Sequence, residues 1–337
     1  MRNVCIISGS SHKSLSQGIA DYLCVELVLV KLGKFSNQET SVEIKESVRN
    51  KHVYIIQSCC GNVNDNYVEL LILIQACLMG SASKISVVTP LYFYSRQPSV
   101  DKTISLIDPS IVEQNFSNTK YQKWCPRNGT LISSLIESAG ANHLITLDLH
   151  DPQYQGYFKI PVDVVYSEPC ILNYIKSNIS NWKTSIVVSP DAGGAKRVAS
   201  ICNKLNLGFA LIHRENSEGS DSMGLVGEVT GKSVILVDDI IDSGNTLKMA
   251  IDVLSLHGVK EIHVIAIHGI FSGNCLEIMN SSPIKSIACT NSVPQEDHLL
   301  ICPKLVTIDT SNIIGETIRR SFHGESIAQI FLYEKNN

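Results

Sequence analysis

Short apolar segments alternate with amphipathic helical patterns along almost the whole chain. The apolar segments have the length of strands and are rich in valine, isoleucine and leucine, as strands buried on both faces are. The strand candidates are Val4 to Ile7, Val53 to Gln57, Ile85 to Thr89, Leu144 to Leu149, Ile186 to Ser189, Phe209 to Ile212, Val234 to Val237, Ile262 to Ile267 and Leu305 to Ile308. The helical candidates are Leu15 to Cys24, Tyr67 to Met79, Leu131 to Ser138, Cys170 to Ile179, Ala195 to Leu205 and Leu247 to His257. This alternation predicts an α/β fold, with parallel sheets covered by helices.

Length and composition agree with such a fold and exclude other classes of protein. The chain has 337 residues and 44% hydrophobic content, enough for about two domains that each bury a core. Its net charge of −4 comes from interspersed basic and acidic residues, so a nucleic-acid-binding surface is not expected. The eleven cysteines show no C-x-x-C spacing, which favours thiols in a reducing compartment over a disulfide framework or a zinc site.

No segment has the pattern of a targeting sequence or a membrane span. The first apolar run, Val4 to Ile7, stops at a polar Ser8-Gly9-Ser10 turn and is too short for a signal peptide. The longest apolar run, Leu70 to Met79, is interrupted by Gln75 and is too short to cross a bilayer. We therefore expect a soluble, cytoplasmic protein without a membrane partner.

The pattern predicts two domains and one insert. A boundary near Ser167, after the Pro161-Val162-Asp163 turn, would separate an N-terminal domain (1–166) from a C-terminal domain (167–337). The last helix of the chain is a candidate to pack back on the first domain. The segment from about 98 to 126 has no clear period and contains several turn residues, so we expect a long surface loop or insert there.

One polar turn has the composition of a sugar-phosphate site. The apolar strand from Val234 ends in two carboxylates, Asp238 and Asp239, which would accept hydrogen bonds from the vicinal hydroxyls of a ribose. Further polar groups then lie at a helix N-terminus, where a phosphate is favoured. These groups are Asp242, Ser243, the backbone N–H groups of Gly244 and Asn245, and Thr246. The alternative is an acidic loop in which Asp242 or Ser243 only caps the helix.

Two other polar turns follow apolar strands. In the run from Ser189 to Arg197, a carboxylate precedes two glycines that open a helix, and glycines let the backbone approach an anion closely. Asp191 would hold a magnesium ion that binds a phosphate; the alternative is a plain glycine turn. In Asp148-Leu149-His150-Asp151, the first and third residues alternate along an extended chain, so they would share a cation with phosphate oxygens. A histidine alone is more often structural.

Two weaker signals indicate a nucleotide. Phe35 offers a ring for stacking, and Asn37 and Glu39 offer an amide and a carboxylate for a purine edge, although a loop aromatic is often only packed. Arg96, followed by Gln97, lies where it would clamp a polyphosphate, although a lone arginine is more often a solvated ion pair.

Together these runs resemble the ribose-phosphate diphosphokinase (phosphoribosyl pyrophosphate synthetase) family along nearly the whole chain. The matching signatures are Ser8 to His12, Phe35 to Glu39, Asn64-Asp65-Asn66, Arg96-Gln97, Asp148 to Asp163, Ser189 to Arg197, Val237 to Thr246, Gly315-Glu316 and His323 to Ser326. The resemblance implies two phosphoribosyltransferase-like α/β domains, each a mainly parallel sheet flanked by helices, in a dimer-based oligomer such as a hexamer. It implies that ATP donates its β,γ-diphosphoryl group to the C1 hydroxyl of ribose 5-phosphate. A plain phosphoribosyltransferase would leave Phe35 to Glu39 unexplained.

The resemblance also implies roles for individual residues. Adenine would be bound, across a subunit contact, by Phe35, Asn37 and Glu39, and the rest of ATP by Arg96, Gln97 and Asp101. Magnesium would be bound by Asp148, His150, Asp163 and Asp191. The pyrophosphate loop would consist of Asp191, Ala192, Gly193 and Gly194, and ribose 5-phosphate would be bound by Asp238, Asp239, Asp242, Ser243, Gly244, Asn245 and Thr246. The catalytic residues would be His150, Asp191 and Arg214.

The chain departs from the family's pattern at the loop expected to close over the transferring phosphates. After His213 the family places a lysine and, two residues later, an arginine, whereas this chain has Arg214 and Asn216. The insert, with its Tyr121 and Trp124, resembles that of one class of fungal subunits that work inside hetero-oligomers. Two interpretations stay open: a synthetase acting as a homo-oligomer or with a paralogous subunit, and a weakly active or non-catalytic regulatory subunit.

Overall fold

Two mainly parallel sheets, each flanked by helices, make up the fold. The computed structural model describes residues 3–96, 128–217 and 220–331. It confirms the α/β class and the parallel arrangement that the alternating pattern predicts. The predicted insert at about 98–126, with Gln97 and Asp101, lies outside the described residues.

The N-terminal domain is built on the first sheet. Its elements are β1 (Val4–Ser8), α1 (Lys13–Leu23), β2 (Val30–Lys34), β3 (Thr40–Ile44), β4 (His52–Ile56), α2 (Val63–Met79), β5 (Lys84–Thr89), α3 (Asn128–Ala139), β6 (His143–Leu147) and β7 (Val162–Val165). Five strands are parallel in the order β1-β4-β5-β6-β7, and β2 and β3 form a separate antiparallel hairpin. A 3-10 turn (Pro152–Tyr157) joins β6 to β7.

The C-terminal domain is built on the second sheet. Its elements are α4 (Glu168–Asn178), β8 (Ile186–Ser189), α5 (Ala195–Leu205), β9 (Gly208–Ser217), β10 (Ser220–Val226), β11 (Ser233–Ile241), α6 (Asn245–Leu256), β12 (Glu261–Gly269), α7 (Cys275–Ser281), β13 (Ser286–Thr290), α8 (Glu296–Ile301), β14 (Leu305–Ile308) and α9 (Ser311–His323). The order is β10-β9-β8-β11-β12-β13-β14, in which only β10 is antiparallel to its neighbour. In the described ranges, no helix is both long and apolar enough to cross a bilayer.

The strands differ from the predicted ones in number and length. β13 has the sequence SIACT, whose small residues give little apolar signal, and it was not among the strand candidates. β7 begins within what the sequence suggested was the Pro161-Val162-Asp163 turn. β11 continues to Ile241, past the predicted end at Val237, so Asp238 and Asp239 belong to the strand rather than following it. The two carboxylates predicted to bind the ribose hydroxyls are therefore held by a regular β-strand.

A continuous apolar core joins the two domains. One cluster of buried side chains includes Ile6 and Tyr54 of the first sheet, Val187 and Ile235 of the second, and Ile314 of α9. Each fully buried aliphatic side chain of this kind stabilises the fold by roughly 1.5–3 kcal/mol. The relative position of the two sheets, and of the loops at their ends, is thus fixed by packing.

The last helix, α9, lies against α1 of the N-terminal domain. The helices approach closely at two glycines: a Cβ on Gly315 would lie 2.6 Å from the Tyr22 ring, and one on Gly18 would lie 3.0 Å from Ser311. Tyr22 also donates a hydrogen bond of 3.1 Å to Glu316. The Gly315-Glu316 signature therefore holds the two domains together.

Candidate active site

The polar turns singled out in the sequence meet where the carboxyl ends of the two sheets face each other. Asp148 to His150 follow β6, Asp191 to Gly194 follow β8, and Asp242 to Gly244 join β11 to α6. Arg96 closes the segment that follows β5. Parallel strands share one direction, so their carboxyl ends lie at one edge of each sheet, the usual place for ligands in α/β proteins.

Two contacts between side chains of predicted site residues cross from one domain to the other at this edge. The His150 Nδ1 atom lies 2.5 Å from Oδ2 of Asp239, and an Arg96 guanidinium nitrogen donates to Oδ2 of Asp242. Arg197 of α5 approaches the same Asp239 oxygen at 4.0 Å. Residues predicted for the ATP side therefore pair with residues predicted for the ribose 5-phosphate side.

Negative charge is concentrated on the C-terminal side of the site. Burial, followed by the charges of Asp239 and Asp191, raises the pKa of Asp238 well above its ordinary value. Burial has the same effect on Asp239, but its hydrogen bond to His150 and the charges of His150 and Arg197 outweigh it and lower the Asp239 pKa. Asp239 is therefore ionised, while Asp238 takes up a proton more readily. The edge of the sheet attracts cations.

The turn after β8 is an ordered loop whose carboxylate is bound to its own backbone. Asp191 accepts a 2.8 Å hydrogen bond from the N–H of Gly194, and the Ser189 hydroxyl donates to the Asp191 carbonyl at 2.7 Å. A Cβ on Gly194 would lie 2.8 Å from the Ser189 oxygen, so a side chain at this position would displace the Ser189 hydroxyl. Asp191, Ala192 and Gly193 are exposed. An incoming anion would reach the Gly194 N–H only after Asp191 releases it.

The turn after β11 leaves an open helix N-terminus. Gly244 is buried with a φ of +78°, and a Cβ there would lie 2.7 Å from the Cys275 sulfur, so glycine is required on both grounds. No side chain caps α6, which argues against the alternative that Asp242 or Ser243 serves only as a cap. Within the described chain, the backbone N–H groups from Ser243 to Thr246 donate no hydrogen bond. They are available to a phosphate.

The residues predicted to bind adenine lie at the tip of the β2–β3 hairpin. The Phe35 side chain is 57% exposed and is not packed as the alternative for a loop aromatic supposed. The Glu39 N–H donates to the Asn37 side chain at 3.2 Å, and the Phe35 N–H donates to the Glu39 carbonyl at 2.9 Å. Lys34, beside the tip, pairs with Asp65 of α2 at 3.0 Å. The tip is a formed loop with an open aromatic face.

The predicted magnesium set is not brought together as a whole. Asp163 lies within β7, in register with Ile145, and its carboxylate contacts His143 Nε2 at 2.9 Å, so it does not join His150 beyond the end of β6. The Asp148 carboxylate accepts a 2.7 Å bond from the Ser167 N–H, and burial raises its pKa. Among the described residues, no three His, Cys, Asp or Glu side chains could hold a metal ion by themselves.

Two residues of the site carry no assigned role in the sequence analysis. Arg197 is half-buried, and its charge acts on both Asp148 and Asp239. His268, which ends the apolar run of β12, is 1% exposed and contacts the Asp148 carbonyl at 3.1 Å. A polar residue at the carboxyl end of an apolar strand is the signal that identified Asp148 and Asp238, and it would also have identified His268.

Known protein domains and a solved structure are similar to this chain. Residues 4–119 match the N-terminal domain of ribose phosphate pyrophosphokinase, and residues 219–332 match the phosphoribosyl synthetase-associated domain. The crystal structure of phosphoribosylpyrophosphate synthetase from Mycobacterium smegmatis superimposes with a TM-score of 0.84 at 29% identity, over 96% of this chain and 99% of that one. The chain belongs to the ribose-phosphate pyrophosphokinase family. The family's two phosphoribosyltransferase-like domains are the two sheets described above.

Two phosphoribosyltransferases of known structure are similar to part of this chain. Orotate phosphoribosyltransferase from Aeropyrum pernix is 17% identical with a TM-score of 0.32, over 45% of this chain and 74% of that one. Adenine phosphoribosyl transferase from Trypanosoma brucei is 18% identical with a TM-score of 0.29, over 37% and 64%.

The positions that depart from the pyrophosphokinase pattern lie on a β-hairpin at the edge of the second sheet. Arg214 and Asn216 belong to β9, where their backbones pair with Met223 and Asp221 of β10. The backbone therefore places the predicted catalytic Arg214 on a hairpin at the edge of the second sheet.

Proposed function

We propose that this chain transfers the diphosphoryl group of ATP to the C1 hydroxyl of ribose 5-phosphate, forming phosphoribosyl pyrophosphate and AMP for nucleotide biosynthesis. The observation that carries the proposal is the pairing of the two predicted substrate sites across the domain interface, His150 with Asp239 and Arg96 with Asp242. Transfer between two phosphorylated substrates needs such facing sites, because the reacting atoms have to be held about 3–3.5 Å apart.

Ribose 5-phosphate would bind on the C-terminal side. Its phosphate fits the N-terminus of α6, where the N–H groups from Ser243 to Thr246 are open in the described chain. Its vicinal hydroxyls would donate to Asp238 and Asp239, which accept hydrogen bonds when ionised. Binding would separate Asp242 from Arg96 and so free the guanidinium for ATP.

ATP would bind on the N-terminal side. Arg96 would contact its phosphates, assisted by Gln97 and Asp101, and Phe35, Asn37 and Glu39 at the hairpin tip would bind adenine. Because the Phe35 face is open in a single chain, we infer that a neighbouring subunit completes this site. That subunit would be a second copy in a dimer-based homo-oligomer such as a hexamer, or a paralogous chain in a hetero-oligomer.

The carboxylates at this edge suit a magnesium ion that arrives with phosphate. Asp191, Asp238 and Asp239 lie close enough that their charges raise the pKa of Asp238, and a divalent cation relieves such repulsion. Magnesium typically takes one or two protein carboxylates and completes its shell with phosphate oxygens and water, so no closed cage of side chains is needed. Asp191 and His150 would hold it, and it would neutralise charge on the transferring phosphates.

The chemistry requires positioning and charge neutralisation more than side-chain reactivity. The C1 oxygen of ribose 5-phosphate forms a bond to the β-phosphorus of ATP as the bond to the oxygen that bridges to the α-phosphorus breaks. The electron pair leaves with AMP, and the hydroxyl proton passes to solvent. Arg197 and Arg96 would stabilise the spread negative charge, and the N–H groups of the Asp191 to Gly194 loop would bind the diphosphoryl oxygens.

The proposal is tested by incubating the purified chain with magnesium, ATP and ribose 5-phosphate. We expect AMP and phosphoribosyl pyrophosphate in equal amounts, and neither product when ribose 5-phosphate is omitted. Asp239→Asn should lose most of this activity, whereas Asp252→Asn should keep it, because Asp252 lies on the exposed face of α6. No AMP above background, alone or with a paralogous subunit, would rule out a synthetase.

The departures at the closing hairpin favour a second candidate, a weakly active or regulatory subunit of a hetero-oligomer. Asn216 stands where the family has an arginine, and loss of one transition-state contact costs about 10²- to 10³-fold in rate. If the chain is a slow synthetase, Asn216→Arg should raise kcat. An unchanged rate in this variant, together with stimulation of a paralogous subunit by the unaltered chain, would favour the regulatory interpretation.

A further inference from the structure

His268 forms a hydrogen-bonded bridge between the domains. It lies near the end of β12 in the C-terminal domain, fully enclosed. Its Nε2 atom is 3.1 Å from the Asp148 carbonyl, and its Nδ1 atom is 2.8 Å from the Ser292 hydroxyl. A carbonyl oxygen only accepts, so Nε2 carries the proton and Nδ1 accepts from Ser292.

The carbonyl that His268 holds belongs to a residue in an unusual conformation. Asp148 has a φ of +36°, which side chains other than glycine seldom adopt, and such a conformation persists only where its surroundings fix it. Three contacts do so: Asp148 donates to Val165, its carboxylate accepts from Ser167, and its carbonyl accepts from His268. His150 follows two residues later, so the conformation of Asp148 sets its direction.

Ser292, the partner of His268, also contacts the segment that leads to Arg96. The Ser292 carbonyl accepts a 2.5 Å hydrogen bond from the Ser58 hydroxyl, and that hydroxyl oxygen accepts from the Leu91 N–H at 3.2 Å. Leu91 begins the short buried stretch that ends at Arg96. Ser292 is therefore linked, through His268 and through Ser58, to the segments that carry His150 and Arg96.

We propose that His268, oriented by Ser292, is a positioning residue that fixes the Asp148 turn and thereby aims His150 across the domain interface. This inference rests on the proposed function for its effect on rate. His268 touches neither the reacting atoms nor a substrate; it acts through the backbone of Asp148. Outer contacts that orient a ligand residue typically change activity or metal affinity by about 10- to 100-fold.

The same strand supplies a matched control. His263 is also buried on β12, and its Nδ1 atom contacts the Ser286 hydroxyl of β13 at 2.7 Å, as His268 contacts Ser292. It lies at the start of the strand, away from the interface. His263→Leu and His268→Leu therefore remove the same ring and the same type of serine contact. His268→Gln keeps an N–H donor near the position of Nε2.

Two measurements test the positioning role. We expect His268→Leu to lower kcat by about 10- to 100-fold and to raise the magnesium requirement, with the KM for ribose 5-phosphate changed by less than about twofold. His268→Gln should recover much of the loss, and His263→Leu should leave kcat nearly unchanged. By mass spectrometry, amide exchange in a peptide containing Leu147 to His150 should accelerate in His268→Leu and not in His263→Leu.

The outcomes separate this inference from the proposed function. Equal losses of kcat in the two leucine variants, or unchanged exchange around Asp148, would overturn the positioning role. Exchange does not depend on turnover, so it tests the contact even in a slow chain. If the unaltered chain forms no AMP while exchange responds as expected, the synthetase proposal fails and the fixing of the Asp148 turn by His268 stands.

Discussion

The pair His150–Asp239 and the pair His143–Asp163 share one chemistry, and their contacts are 2.5 and 2.9 Å long. His143 is the first residue of β6 and is 3% exposed, whereas His150 lies beyond the end of that strand and is exposed. One pair links two strands inside a domain, and the other links two domains at the predicted site. Position along the strand, rather than residue type, separates the structural pair from the pair at the predicted site.

The buried pair is part of a polar row that crosses the first sheet. His143 also contacts Ser86 of β5 at 3.1 Å, and Ser86 contacts His52 of β4 at 2.9 Å. The ring of His52 stacks on Tyr54 at 4.3 Å and approaches Phe322 of α9. This row, closed by Asp163, connects four neighbouring strands beneath the last helix. This row stabilises the sheet, so its loss should lower the free energy of unfolding.

The largest expected difference between the pairs is in activity. His150→Gln should lower kcat/KM by about 10²- to 10³-fold, because it removes a contact to the transferring phosphates or their cation. Its free energy of unfolding should change by less than about 0.5 kcal/mol, because the side chain is at the surface. Rates of AMP formation and urea unfolding curves measure the two effects.

The matched variant His143→Gln should show the opposite pattern. It replaces a buried ring of the polar row, so the unfolding midpoint should fall while the rate of AMP formation per folded chain is retained. Similar losses of rate in both variants would mean that the two pairs are functionally connected.

The second expected effect is on the pH dependence of stability. Burial, together with the charges of Lys84 and His143, lowers the pKa of His52 to about 4 from an ordinary 6.5. The unfolded chain therefore binds a proton at higher pH than the folded chain does. The stabilising contribution is complete above about pH 6.5 and is lost as the pH falls to about 4, a change of about 3 kcal/mol.

The variant His52→Gln isolates this effect, since glutamine does not titrate. Urea unfolding at several pH values should show the unaltered chain losing about 3 kcal/mol more than the variant between pH 6.5 and 4. Parallel stability curves would show that His52 titrates normally in the folded chain, and that the polar row is open to water.

The features that could be predicted from the sequence are those encoded by residues close together in the chain. An apolar run that ends in carboxylates predicts a strand and the edge where it ends, and this signal led to the prediction of the Asp191 and Asp242 turns. The fold class followed from the same alternation of strands and helices. The turn after β11 requires glycine at position 244, because φ is positive there and a Cβ would lie 2.7 Å from the Cys275 sulfur.

What the sequence could not show is register between strands. Asp148 and Asp163 belong to one signature in the chain, but β7 lies parallel to β6 and places Asp163 level with Ile145. The strand-end position of His268 is visible in the sequence, but its contact with Asp148 is not, since Asp148 is far away in the chain and in the other domain. Distances of this kind are set by packing of the two sheets.

The smallest expected effect tests the assignment of Asp163 directly. Asp163→Ala leaves His143 Nε2 without its partner in a nearly buried position, so the free energy of unfolding should fall by about 1–3 kcal/mol. The magnesium concentration for half-maximal AMP formation should stay within about twofold of the unaltered value, because Asp163 does not reach the site. Asp191→Ala is the control, and it should raise that concentration at least about tenfold. A raised magnesium requirement in Asp163→Ala would instead return this carboxylate to the metal site, and the position of a residue along its strand would then no longer separate the two pairs.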